Sequence, residues 1–496
     1  MVSGHRISTF RPPISFIALV ASGVLLAVVP LPLAVLGVAG LALLLAVLMR
    51  PEIGLWLLPF SVPFGSVREL GLAGLRVSAT EVLIAVTLSA WLARGVARRR
   101  LQIDIPPLFI PLVLLLGTML LSATGMYAVA STAKELVKWV EILVVYGLAY
   151  NLIQGRKEGM VLVAALLLAG SLSALYGVAG SLLRIGPPQF AILGGRLYRA
   201  FGTFGQPNPF GGYMNHSLPI AVSLLIAQIT AVEPDTGRFS FARLPSTIAL
   251  LGIAGVLVLG LGLSWSRGAW LGAAAGLTAV AVAWPMAILA DEAVDSAART
   301  LRRRVVGLTW LGVAVIVLAV LLGGLNVVPA PIARRIDSAV ATFTTLDARG
   351  ANITDANFAT LERVAHWQAA WEMWRDHFWT GVGIGNYEAA YPQYRLPKWP
   401  YALGHAHNIY FNMAAETGFL GLMAYLAFVF AALWHCWCIA RGSSAPAIRG
   451  LAIGVLGVLV ALGVHNLFDN MYVHAMGVQL ALALGVVSAA GQPGRG

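Results

Sequence analysis

The sequence predicts an all-α polytopic membrane protein with about 12–14 transmembrane helices and one sizeable hydrophilic segment toward its C-terminal third. Composition is the first reason. Of 496 residues, 59% are hydrophobic and 11% charged, with a mean hydropathy of +0.81. A soluble domain of that size needs far more charge to cover its surface. The second reason is clustering: the apolar residues gather into runs of roughly 17–22, the length that crosses about 30 Å of hydrocarbon. The third is pattern. Only helices and closed barrels satisfy their backbone in lipid, and these runs are continuous rather than alternating, so they are helices.

In chain order the runs predict spans over 14–29, 33–49, 53–66, 79–95, 106–122, 136–153, 159–182, 209–230, 246–264, 268–289, 305–326, 415–438, 450–466 and 472–490. The third is short and interrupted by proline. Arg6 and Arg11 before the first run resemble a signal peptide. That run continues past Pro30 and Pro32 into the second without a clear small-residue cleavage site, which reads as an uncleaved first helix. No internal repeat stands out.

The net charge of +12 does not predict a nucleic-acid partner, because the basic residues form no single tract. Arg50, the Arg94/Arg98/Arg99/Arg100 cluster, Arg156 with Lys157, Arg238 with Arg243, the Arg299/Arg302/Arg303/Arg304 cluster, and Arg441 with Arg449 sit between apolar runs, all on one side. By the positive-inside rule that side, with both termini, is cytoplasmic. The opposite side takes the outer loop 183–208, the 264–268 turn and residues 327–404. The chain therefore divides into 1–326 with eleven helices, an extracytoplasmic helical cap at 327–404, and C-terminal helices in 405–496. The only cysteines, Cys436 and Cys438, point to different faces of one helix and predict neither disulfide nor metal site.

Within the cap, Trp367, Trp371 and Trp374 recur at helical spacing, with Arg363 and His366 on another face. Packing is the preferred reading of the tryptophan stripe over sugar stacking. The stretch Gly381-Val-Gly-Ile-Gly385-Asn-Tyr387 reads as a turn-rich loop, and Pro392, Pro397 and Pro400 lead into the next helix.

Three features on the outer side are chemically costly. Tyr198-Arg199 precedes a Gly/Pro/Asn turn ending at Asn208 that opens a helix. Ser264-Trp-Ser-Arg267-Gly sets an arginine into a nearly continuous apolar stretch, where such a residue more often faces a polar cavity than lipid. Gly404-His405-Ala-His407-Asn408 is followed by Glu416 and Gly418-Phe-Leu-Gly421. Forked guanidinium donors match phosphate oxygens, so two outer arginines suit a diphosphate. Histidines two apart match no usual zinc spacing but suit proton transfer near neutral pH. His465, Asn466 and Asp469, at the outer end of the next helix, either support such a site or cap that helix. The chemistry indicated is transfer from a membrane-embedded, phosphate-linked donor. A transporter or flippase for lipid-linked sugars is the rival class, though it would show repeated halves and mid-membrane polar residues.

At these residues the sequence resembles the O-antigen ligase and polymerase superfamily of bacterial surface-glycan enzymes. His407-Asn408, nine residues, then Gly418-Phe-Leu-Gly421 is similar to the family's His motif. The Arg199…Asn208 stretch, the Ser266-Arg267-Gly268 turn and the Trp367…Tyr387 segment stand in the family's order, over roughly residues 190–470. The resemblance implies a GT-C-like, metal-independent glycosyltransferase needing no cofactor, multi-pass in the bacterial inner membrane, with its active site facing the periplasm or exterior. The implied donor is an undecaprenyl-diphosphate-linked glycan, transferred with inversion. His407 would be the base and Arg199 and Arg267 the diphosphate pair. Asn408 and Glu416 would shape the site, with His405, Asn208, Arg363 and Asp469 as further supporting candidates. The acceptor stays open: lipid A-core for a lipopolysaccharide ligase, a growing glycan for a polymerase, or protein.

Overall fold

The computed structural model describes residues 30–65, 70–72, 75–230, 244–289, 345, 347–354 and 357–492. Among them are fourteen α-helices. They are α1 Leu31–Met49, α2 Pro51–Gly65, α3 Ala79–Ala97, α4 Phe109–Ser122, α5 Val129–Leu152, α6 Arg156–Leu182, α7 Pro207–Thr230, α8 Leu244–Ser264, α9 Arg267–Leu289, α10 Phe358–Asp376, α11 Tyr387–Tyr394, α12 Ile409–Gly442, α13 Pro446–His465 and α14 Met476–Ala490. Two short antiparallel hairpins, Leu70–Leu72 with Leu75–Val77 and Ala191–Ile192 with Leu197–Tyr198, were not expected from the sequence. The predicted spans 14–29 and 305–326, and the first part of the cap, lie outside the described residues.

The chain is an all-α polytopic membrane protein. By length and composition, α1, α3, α6, α8, α9, α12 and α13 can each cross a membrane; α4 and α14 are apolar but shorter. Among the remaining predicted spans, α7 also falls below that standard, and two others do so for visible reasons. Helix α2 has 15 residues with Pro59 and Pro63 inside it, and α5 carries Lys134, Glu135, Lys138 and Glu141.

Close approach of backbones holds the centre of the bundle. In α9, a Cβ on Gly272 or Gly276 would stand 2.5 Å from the Ala461 or Gly457 carbonyl of α13. Small residues at helix crossings permit this contact, which the weak hydrophobic drive between helices in lipid otherwise leaves unsupported.

Helix α5 also fixes the depth of the bundle. Just before it, the Ala128 N–H donates to Asn386 of the cap segment at 2.6 Å. At its other end, Asn151 exchanges amide bonds with the Asp104 backbone at 2.8 and 3.0 Å. With 24 residues, α5 separates the cap end from the opposite end by about 36 Å, at roughly 1.5 Å per residue.

The cap is docked by a break in a membrane helix. Gly418 interrupts α12 with φ 66° and ψ −164°, a conformation that favours glycine. The break frees two carbonyls: Ala415 O accepts from Val382 N at 2.8 Å and Glu416 O from Gly383 N at 3.0 Å. The pairing is so close that a Cβ on Gly418 would collide with the Trp379 backbone, and one on Gly381 with the Glu416 backbone.

Candidate functional site

The site forms where four elements meet at the cap end. The turn after α13 presents three successive carbonyls, each taken by a different partner. Asn466 O accepts from Ile409 N at 3.0 Å, Leu467 O from the Asn408 amide at 3.1 Å, and Phe468 O from Arg363 Nε of α10 at 3.2 Å. The residue that follows is Asp469, whose side chain is buried.

Asp469 is the hub. Its Oδ2 accepts from Asn208 Nδ2 at 3.1 Å and its Oδ1 from Asn470 N at 2.9 Å. The same Oδ1 lies 3.4 Å from His407 Nδ1 and 3.6 Å from His405 Nε2. Burial works against ionisation here, but the His407 side chain and the neighbouring His405 and His465 rings act the other way and hold the carboxyl below the usual range.

Asn208, at the start of α7, extends the network to Arg199. Its Oδ1 accepts from Arg199 Nη2 at 3.3 Å, while Arg199 Nε donates to Ser264 O at 3.0 Å. Next to it, Ala200 N donates to Leu263 O at 2.8 Å. The 183–208 loop is thereby fastened to the end of α8, and Arg267 opens α9 three residues after Ser264. Gly268 packs against the Asp469 turn, since a Cβ there would lie 2.7 Å from His465 Cδ2 and 3.1 Å from Phe468 Cβ. Arg199 therefore reaches Asp469 through Asn208, and the backbone beside Arg267 packs against the same turn.

The two histidines differ in chemistry. His407 adopts a left-handed backbone, φ 51°, and its N–H donates to His405 Nδ1 at 3.0 Å. A backbone N–H can only donate, so His405 Nδ1 is an acceptor and the proton of its neutral ring sits on Nε2, toward Asp469. Burial lowers His405 to about 4 against the opposing pull of Asp469, so the ring is neutral. His407 has the complementary arrangement. Its Nδ1 faces the carboxylate at 3.4 Å, and both Nδ1 and Nε2 are buried without a hydrogen-bond partner among the described residues.

His405, His407 and Asp469 also lie close enough together to hold a metal ion. A ligating histidine normally donates its other ring N–H to a second partner. His405 Nδ1 instead receives an N–H, so its Nε2 carries a proton rather than a lone pair. The donor set fits a hydrogen-bonded triad better than a metal centre.

The structure gives other predicted residues structural tasks. Asn408 caps α12, accepting from Tyr410 N at 2.9 Å and Phe411 N at 3.2 Å; an Asn side chain there satisfies otherwise unpaired helix amides. Glu416 accepts from Tyr387 N at 3.0 Å, at the start of α11. It sets the cap helix rather than touching His407 directly. The tryptophan stripe is buried only in part. Trp367 lies near the site, its indole donating to His407 O at 3.4 Å, whereas Trp371 is exposed and joins Trp374 and Phe378 in an aromatic cluster.

His366 was placed on a helix face by the sequence but given no role. It is buried, its Nδ1 is 2.8 Å from the Tyr387 hydroxyl, and its ring stacks on Tyr391 at 4.8 Å. Its edge meets the His407 ring at 5.7 Å, and its Nε2 has no partner among the described residues. Burial lowers it to about 3, with His407 and His405 adding to the effect. The available signal was its one-turn proximity to Arg363, which the site does use.

Residues 252–426 match the sequence model of a family described as O-antigen ligase. The match runs from α8 into α12, taking in Arg267, the cap, the His405–Asn408 segment and the Gly418–Gly421 break, and stopping short of Arg199, Asn208 and Asp469. It supports assignment of the chain to the O-antigen ligase superfamily. A ligase- or polymerase-type function, acting on a lipid-linked glycan and a glycan acceptor, goes with that assignment. No curated protein matches the chain.

Proposed function

We propose, from this superfamily assignment and the site's geometry, that the chain is a GT-C-like inverting glycosyltransferase. It moves a glycan from an undecaprenyl-diphosphate-linked donor to an acceptor hydroxyl at the outer face of the bacterial inner membrane. The observation that carries the reading is the buried His407 ring, with Nδ1 3.4 Å from the Asp469 carboxylate and neither ring nitrogen hydrogen-bonded among the described residues. With its Nδ1–H turned to that carboxylate, a neutral ring offers its Nε2 lone pair to an incoming hydroxyl.

The acceptor oxygen attacks the anomeric carbon as the bond from that carbon to the phosphate oxygen breaks. The hydroxyl proton passes to His407 Nε2, and the electron pair leaves with the diphosphate. Asp469 offsets the charge that appears on the imidazole. Arg199 and Arg267 hold the departing diphosphate, whose growing charge their fixed donors stabilise. His405, with its proton directed at Asp469, positions the carboxylate rather than serving as base. The same tautomer supports metal independence.

The outer-face assignment rests on the arginine clusters at the end of the bundle opposite His407. A ligase using lipid A-core is the favoured acceptor reading, because of the fit of His407-Asn408 and Gly418–Gly421 to the family motif. A polymerase that extends one lipid-linked chain with another uses the same donor chemistry.

The test is to purify the protein in detergent and supply an undecaprenyl-diphosphate-linked glycan with and without lipid A-core. Glycan moving onto the added acceptor establishes the ligase, and a ladder of longer lipid-linked chains establishes the polymerase. No product, with the donor crossing a proteoliposome membrane, would replace this reading with transport.

A further inference from the structure

At the end of the bundle away from His407, the structure forms an open cavity of about 570 Å³. Arg50, Arg94, Arg98 and Arg100 line it, together with Trp56 and Trp91. We propose that this cavity binds the phosphate head group of an anionic membrane phospholipid.

Arginine clusters between helices orient a membrane protein without any cavity, so the basic residues alone would not single out a ligand site. Three further observations do. The arginines come from two separate segments, the α1–α2 junction and the end of α3, and converge on one volume large enough for a head group. Three carboxylates share the wall: Glu52 pairs with Arg94 at 3.9 Å, Asp104 sits where its backbone is held by Asn151 at 2.8 and 3.0 Å, and Glu158 lies in the first turn of α6, where a negative charge faces the helix amides. Finally, Trp56 has a buried indole N–H with no acceptor among the described residues. A buried donor of this kind is costly unless an acceptor reaches it. An oxygen-rich anion partners the exposed guanidiniums and, where it reaches the Trp56 edge of the cavity, would supply that acceptor as well.

The location favours a lipid over a soluble phosphate. The cavity sits where α1 and α3 end; ends of membrane-crossing helices are expected at the depth of lipid phosphates, and tryptophans are usual side chains of that layer. Basic pockets between helices at this level recognise anionic head groups.

The test is native mass spectrometry of the whole protein in a neutral detergent, with phosphatidylglycerol or phosphatidylcholine added. The wild type is expected to retain phosphatidylglycerol in preference. The double variant R98Q/R100Q should weaken that retention about thirtyfold, from roughly a fivefold loss per basic side chain, and Trp56→Phe by a smaller factor. Neither should change phosphatidylcholine retention or thermal stability. Equal retention of the two lipids, or phosphatidylglycerol retention unchanged in both variants, would overturn the proposal. So would binding of free glycerol phosphate as strong as that of the lipid, which would make the ligand a soluble phosphate. None of these outcomes depends on glycan transfer.

Discussion

Arginine appears at both ends of this molecule and is used differently at each. At the cap end, Arg199 is fastened to Ser264 and Asn208, and Arg363 to Phe468 and Ala359. At the opposite end, Arg50, Arg98 and Arg100 are exposed around an open cavity. Fixed donors cost little reorganisation when charge develops on a reacting group. Exposed ones are suited to a solvated partner that comes and goes. The difference between the ends lies in the second layer of contacts, not in residue type.

Apart from loss of the base itself, the largest expected effect breaks the fixed end. Arg199→Ala or Arg267→Ala should each lower the transfer rate by about 10²–10³-fold, the usual loss of one charge-stabilising donor. A rate within a few fold of wild type for both would remove the diphosphate role. Asp469→Asn comes next. It removes the charge facing His407 Nδ1, and the transfer rate should fall about a hundredfold while expression is kept. If the rate held, the carboxylate would be structural.

Gly418→Ala probes how the cap is held rather than the chemistry. The left-handed backbone and the collision with Trp379 predict a loss of about 2–3 kcal/mol, seen as a lowered melting temperature. An unshifted melting temperature would mean that the cap docks by other contacts.

The smallest effect is on pH dependence. His405 titrates at about 4 in the folded protein against an ordinary 6.5. Between those values the unfolded chain binds a proton that the folded chain does not, so stability falls as pH drops through this window. His405→Gln should flatten that fall without abolishing it, because buried His366 is lowered in the same sense. A melting curve with the same pH slope as wild type would contradict the buried neutral ring.

Much of the fold was legible because hydropathy reports lipid crossing directly. The expected span 79–95 is Ala79–Ala97, and 159–182 is Arg156–Leu182. The misses have physical causes. Helix α12 begins at Ile409 rather than 415, since Asn408 caps a first turn that lies on the Asp469 turn instead of in lipid. Helix α5 begins at Val129 rather than 136, because its early turns carry Lys134 and Glu135 and are held by Asn386. Composition gives no sign of either.

Site legibility followed the same rule. Arg199, Arg267 and His407 stood out as costly residues near apolar runs. Asp469 was read only as a possible support or cap, because its partners Asn208, His405 and His407 lie 261, 64 and 62 residues away. The pairing of His366 with Tyr387 was illegible for a similar reason. The two are 21 residues apart, and the loop between them turns back only because it docks on the break at Gly418. That docking is a tertiary event that no spacing reveals.

The central claim is that His407, and not its neighbour, offers the lone pair. The direct test is the rate of transfer from an undecaprenyl-diphosphate-linked glycan by His407→Gln and His405→Gln, purified and compared at pH 7.5. The expected result is a loss of about 10³-fold or more for His407→Gln and a loss within about tenfold for His405→Gln, whose proton-bearing Nε2 only positions Asp469. The reverse order, with His407→Gln active and His405→Gln dead, would contradict it and move the base to His405.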